Sequence, residues 1–171
     1  ARRKANGVAG LITIAGNPVI SAPDAARHVW EAHFEAFRGE WDFREPLDSE
    51  IDEMVDDPML RDTSLWKVAW AGDEIVGQVK PFINVEENEE RGYRRGYTEY
   101  ISTHHKWRNR GIAGALLAMS LRELRDRGMS EAMLGVDTNN PGGALHVYTK
   151  VGFEVQRFAA VYTRPYRSAA P

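Results

Sequence analysis

The stretch Tyr97-Thr98-Glu99-Tyr100-Ile101-Ser102-Thr103, continuing through His104-His105-Lys106-Trp107 into Arg108-Asn109-Arg110-Gly111-Ile112-Ala113-Gly114, decides the fold. From Gly96 to Thr103 the residues alternate and read as a strand. Gly111 to Arg127 is the clearest helix of the chain: Ile112, Leu116, Met119 and Leu124 recur at helical spacing, and Gly128 supplies the residue past its end. Between strand and helix lies a basic glycine turn. The first amides of a helix lack intrahelical partners and the helix dipole adds partial positive charge there, so the turn suits a pyrophosphate. Gly111, Ala113 and Gly114 leave the backbone accessible, and Arg108 and Arg110 offer charge-assisted hydrogen bonds. Taken alone, the turn reads more simply as a basic loop capping a core helix. It matches neither G-x-x-x-x-G-K-[ST] nor G-x-G-x-x-G.

Downstream, Ala132 to Asp137 reads as a strand, Asn140-Pro141 as the cap and first residue of a helix ending at Gly152, and Phe153 to Thr163 as a last strand. Upstream, residues 11–15 read as a short strand. Pro23 and Asp24 open a helix to Phe37, stopped by Gly39, and a second helix runs from Pro46–Asp48 to about Val55. Leu65 to Trp70 and Ile75 to Ile83 form a hairpin about Ala71-Gly72-Asp73-Glu74, and residues 84–96 read as a charged loop. The order β, α, α, β, β, β, α, β, α, β predicts an α/β domain around a mixed sheet.

The 171 residues amount to one domain, able to bury roughly 70% of the unfolded surface. A net charge of −3 argues against a chain-wide preference for nucleic acid or an anionic membrane, and no apolar run approaches the length of a membrane span. The absence of cysteine excludes disulfides, thiolate metal sites and a cysteine nucleophile. The histidines show no metal-ligand spacing on a helix, so no metal site is expected. Arg2, Arg3 and Lys4 ahead of Val8 to Ala15 loosely resemble a secretory leader, but the alternation there fits a first strand better.

Two blocks, in order and about 30 residues apart, carry a resemblance. Arg108, Gly111 and Ala113 match an [RQ]-x-x-G-x-[GA] motif. Asn140, Ala144, Tyr148, Gly152 and Phe153 match a later strand–Asn–helix–Gly-Phe motif. Together they resemble the GCN5-related N-acetyltransferase superfamily, convincingly over residues 64–163. The segment Asn-Pro-Gly-Gly-Ala and the run Trp107 to Gly111 are similar to the C-terminal half of tandem members such as mycothiol synthase.

The resemblance implies a mixed, mostly antiparallel sheet with helices on both faces and a splayed parallel pair, Gly96–Thr103 and Ala132–Asp137, at an acyl-CoA site. In it the pantetheine arm pairs with backbone near Ile101, Ser102 and Thr103. The pyrophosphate rests on the Arg108-Asn109-Arg110 turn and the amides from Arg110 through Gly111, Ile112 and Ala113 to Gly114. Asn140, Ala144 and Tyr148 lie by the thioester. Tyr148 corresponds to the family's general-acid tyrosine and Glu99 to a strand glutamate acting as base. His104 or His105 offers help through water, and Glu31, Glu35 and Asp42 offer attraction for a cationic amine. Adjacent residues point to opposite sides, so at most one of the two histidines faces the cleft, and the acids also read as ordinary surface.

The implied activity is acetyl-CoA-dependent transfer of an acetyl group to a primary amine of a small molecule, in the cytoplasm. The alternatives are a protein N-terminus or lysine as acceptor, or a non-catalytic acyl-CoA-binding half of a tandem protein. Residues 1–9 read as linker and 10–167 as the acetyltransferase domain. The basic, small-residue start without Met supports the expectation of a second acetyltransferase domain, or of a homodimer, as partner.

Overall fold

The computed structural model describes residues 12–16, 23–39, 43–136 and 143–158. The expected linker 1–9, Asp42, Asn140 and the end of the domain at 159–167 lie outside the described residues. The elements are β1 (Ile12–Gly16), α1 (Pro23–Phe37), α2 (Asp48–Asp56), β2 (Lys67–Ala71), β3 (Glu74–Phe82), α3 (Val85–Arg91), β4 (Arg95–Thr103), α4 (Ile112–Asp126), β5 (Glu131–Met133) and α5 (Ala144–Val151). The five strands lie in sequence order. Neighbours from β1 to β4 are antiparallel, and β4 and β5 are parallel. The sheet is therefore mixed and mostly antiparallel, as the resemblance implies.

Helices cover both faces because β2 and β3 are apolar on both sides. Trp66 and Val68 join Val29 and Trp30 of α1, Ile51 of α2, and Ile75 in one buried cluster. Ala69, Val76 and Val79 join Ile112 and Leu116 of α4 in the other. Lys67, between Trp66 and Val68, points to the α4 face, where its Nζ lies 3.5 Å from Glu123. The period of two along β2 thus assigns successive residues to opposite helical layers.

Four expectations need correction. The helix expected from Asn140-Pro141 begins only at Ala144, with Gly143 as its cap residue. The charged segment 84–96 contains a helix, α3, rather than a loop. Asn84 accepts a hydrogen bond from the Glu87 amide at its start, Glu86 and Glu87 occupy its first turn, and Gly92 (φ +67°) ends it. Glu87 also accepts the Tyr97 hydroxyl at 2.5 Å, which ties α3 back to the sheet. The strand expected at Ala132–Asp137 is only Glu131–Met133. No strand is assigned over the described part of the expected last strand, 153–158, and the remainder lies outside the described residues.

Two glycines let α4 lie close to the sheet. A Cβ on Gly77 would come within 2.8 Å of Ile112 Cγ2, and one on Gly96 within 2.6 Å of Leu124 Cδ2. Leu124 is itself 1% exposed, so the added methyl would press into the buried layer between sheet and helix. Gly96→Ala is therefore expected to lower the unfolding free energy by about 1–3 kcal/mol through overpacking. Urea denaturation checks this, with a lower midpoint at unchanged slope as the expected result.

Candidate active site

The turn before α4 is built by two left-handed residues, Asn109 (φ +62°) and Gly111 (φ +80°). They bring the chain abruptly from β4 into the helix. No side chain caps α4 at Gly111. A Cβ on Gly111 or Gly114 would meet nothing within 4 Å, so the space before the first turn is open. An uncapped helix start facing open space is a fitting cradle for a pyrophosphate. The two arginines of the turn differ. Arg108 turns inward: its Nε donates to Thr103 O at 3.2 Å and its Nη2 to Ala36 O at 2.8 Å. It fixes the turn against the end of β4 and the last turn of α1. Arg110 is exposed, with its guanidinium 4.8 Å from the centre of the Trp107 ring.

Next to this cradle, β4 and β5 part. They pair at Arg95↔Glu131, Gly96↔Ala132 and Tyr97↔Met133, and no further pairing follows among the described residues. Beyond that point the Gly135 amide donates to the Glu99 carboxylate at 3.0 Å, not to a β4 carbonyl. The β5-facing edge of β4 over Thr98 to Thr103, including Ile101, Ser102 and Thr103, is thereby left without a strand partner among the described residues. On its other edge β4 carries a bulge. Lys80 opposes Glu99 and Gln78 opposes Ser102, so two residues, Tyr100 and Ile101, face Val79. Tyr100 sits at φ +52°, an unusual conformation for a bulky residue. The bulge brings Tyr100 to the α1 cluster right after Glu99, while Ile101 packs against the α4 cluster.

Burial raises the pKa of Glu99, partly offset by the Gly135 amide. Tyr148, 8% exposed on α5, packs edge-on to Phe153 with centroids 6.3 Å apart. Its pKa is raised by burial and then by the negative charge of Glu99, which lies within electrostatic reach. The two residues expected to handle protons thus share one region. Ala144 opens α5 behind Gly143 (φ +68°). His104 and His105 lie with ring centres 4.3 Å apart and their planes tilted by 31°. His104 is the more buried, with Nδ1 3.9 Å from Glu74, and burial followed by the charge of His105 lowers its pKa. Among the described residues no cluster of His, Asp and Glu could hold a metal ion.

Two residues near the site escaped the sequence reading of function. Lys80, fully buried on β3, holds its Nζ 3.7 Å from the centre of the Trp30 ring, with Trp66 and Tyr100 at 5.4 and 5.9 Å. Its hydrogen bond runs to Gln78 Oε1 at 2.5 Å. Burial pushes its pKa well below 10.5. His33 of α1 lies with its ring 6.0 Å from Tyr100 and 5.0 Å from Phe37. Burial and then the charge of Lys80 hold it neutral, and its buried Nδ1 has no hydrogen-bond partner among the described residues. The available signal was a lone lysine within the apolar run Ile75–Ile83 and a histidine on the apolar face of α1.

The chain resembles known proteins in sequence and in structure. A mycothiol acetyltransferase from Parafrankia sp. is 40% identical over 57 residues, which span 33% of this chain and 17% of that protein. The structure of a GCN5-related N-acetyltransferase from Sphaerobacter thermophilus superposes with a TM-score of 0.64 at 28% identity, covering 85% of this chain and 42% of that one. An aminoglycoside acetyltransferase from an uncultured soil metagenomic sample, in complex with trehalose, has a TM-score of 0.64 at 16% identity, covering 91% and 96%. The model of the acetyltransferase (GNAT) family matches residues 26–153, from α1 through the cradle and the parted strands to the end of α5, and the chain belongs to that family.

Proposed function

We propose that this chain transfers an acetyl group from acetyl-CoA to the primary amine of a small molecule, in the cytoplasm. The observation that carries the reading is the placement of Glu99 and Tyr148 within electrostatic reach of one another, beside parted strands and an uncapped helix start. The amides from Arg110 to Gly114 would hold the pyrophosphate, with Arg110 adding charge. The open edge of β4 at Ile101, Ser102 and Thr103 would pair with the pantetheine amides. Acetyl-CoA supplies an activated acyl thioester when bound.

The remaining work is proton handling. An alkylammonium has a pKa near 10 and must lose a proton before it attacks. Glu99 accepts that proton, directly or through water. Its partial burial favours the task, because a raised pKa makes a carboxylate a stronger base. Tyr148 donates a proton to the departing thiolate, and its raised pKa keeps it protonated at neutral pH. His104 is neutral and could assist through water. As a second reading, the short match to a mycothiol acetyltransferase supports a domain that works beside another copy of its fold.

Three outcomes test these assignments. Gly111→Glu should abolish CoA binding in calorimetry, since it puts an anion at the cradle and a side chain on a left-handed residue; unchanged affinity would remove the cradle from the reading. Tyr148→Phe should lower kcat by about 10²-fold with little change in CoA affinity. A variant that keeps kcat and loses affinity would mark Tyr148 as packing. Glu99 acts deprotonated, so the rate should rise with pH through its pKa. Burial places that limb above the ordinary carboxylate value of about 4.3. Glu99→Gln should flatten the limb in a pH–rate profile.

A further inference from the structure

A cavity of about 340 Å³ lies between α1 and α2, walled by Phe34, Phe37, Phe43 and Met54 and bordered by His33. It is near the small end of the roughly 300–1,000 Å³ typical of small-molecule sites. Through His33 it reaches the proton-handling region, for the His33 ring lies 6.0 Å from Tyr100, the residue after Glu99. The Nδ1 of His33 is buried without a hydrogen-bond partner among the described residues, while the residue itself borders the cavity. A neutral imidazole can donate through one nitrogen and accept through the other, and it adds no positive charge to repel a cation.

The one carboxylate of the described lining is already matched. Glu50 is the sole carboxylate among its described lining residues, and Arg44 and the Leu47 amide hold it, pulling its pKa to about 2. Arg27 of α1 binds Glu31, Asp48 and Asp52, and Arg38 binds Glu35 and Glu45. Glu31 and Glu35, which the sequence offered as attractors for a cationic amine, are therefore engaged by arginines. A polycationic acceptor would find no unpaired carboxylate among these residues for its second and third charges. An aromatic or branched aliphatic body would find three phenylalanine rings and a methionine.

We infer that this cavity receives the body of the acceptor, and that the acceptor is a compact primary monoamine bearing one aryl or branched alkyl group, with His33 as a positioning residue. The inference rests on the acetyl-transfer reading and deepens it. Apolar contact with the cavity supplies the selectivity, and the amine projects past His33 toward Glu99. The cavity's described wall is made of side chains from α1, from α2 and from Phe43, Arg44 and Pro46, so its volume is open to alteration without touching the cradle at α4.

The experiment uses the full chain, with thiol release as the readout. Phenethylamine is compared with ethylamine, spermidine, an aminoglycoside and a short peptide with N-terminal Phe. The expected result is a kcat/KM for phenethylamine at least about tenfold above the others. Met54→Trp, which fills the cavity, should raise KM for phenethylamine by about tenfold or more while leaving ethylamine, too short to fill the cavity, nearly unaffected. CoA affinity by calorimetry should stay within about twofold, which separates a filled cavity from a misfolded chain. Phe43→Ala serves the same comparison if Met54→Trp does not fold. Preference for spermidine, the aminoglycoside or the peptide overturns the inference, as does an unmoved phenethylamine KM in the folded variant. If CoA does not bind and no amine is acetylated, the acetyl-transfer reading fails. Calorimetry of phenethylamine alone then decides the cavity: binding lost in the variant supports it, and no binding to the parent chain overturns it.

Discussion

One primary amine, that of Lys80, is withdrawn completely from water, and the α1 side of the sheet is arranged around it. Burial disfavours its charged form, and the amine meets aromatic faces and one amide oxygen rather than a carboxylate. The rings that face it also face one another. Trp30 meets Tyr100 and Trp66 edge-on, with centroids 4.8 and 6.2 Å apart. Those contacts bind α1 to β3, to β4 at its bulge, and to the residue that leads into β2. The position of α1 governs the rest of the site. It brings His33 beside Tyr100, sets one wall of the cavity, and offers the Ala36 carbonyl to Arg108. Through Arg108 the constraint passes to the turn before α4, so the cavity and the turn are anchored to one aromatic layer.

What the sequence disclosed follows from how strongly each element signals itself. α4 is long, periodic and bounded by glycines, and it was read within a residue or two. The β2–β3 hairpin announced itself through apolar runs on either side of Ala71-Gly72-Asp73-Glu74. α3 was missed because it is seven residues long, has no buried residue and lacks a periodic apolar face. Its remaining cue was Asn84 three residues before Glu87. The expected strand at Ala132–Asp137 is apolar up to Val136, but ladder pairing depends on a neighbour within reach. Beyond Met133 the Gly135 amide meets a side chain instead.

The site was partly legible for a related reason. The glycine turn and the positions of Glu99 and Tyr148 lie in local motifs. The inward turn of Arg108 depends on a carbonyl 72 residues away, which no local spacing encodes. The left-handed Tyr100 is equally hidden, because a bulky residue gives no sign of that conformation in its own chemistry. Nothing next to Lys80 in the sequence marks it as buried. Its environment comes from Trp30 and Trp66, both remote in sequence, and from the bulge that turns Tyr100 toward it.

The two halves of the site are made of different material. The proposed donor side consists largely of main-chain groups: amides at the start of α4 and the edge of β4 that has no strand partner among the described residues. Most side-chain substitutions there leave those atoms in place. The cavity between α1 and α2 consists of side chains, framed by exposed ion pairs that contribute little individually. A single substitution in that wall changes its shape and polarity without disturbing the sheet. Such a division allows one cofactor-binding chassis to acquire new acceptors by small steps, with the cost in foldability of each step confined to two helices and the segment that joins them.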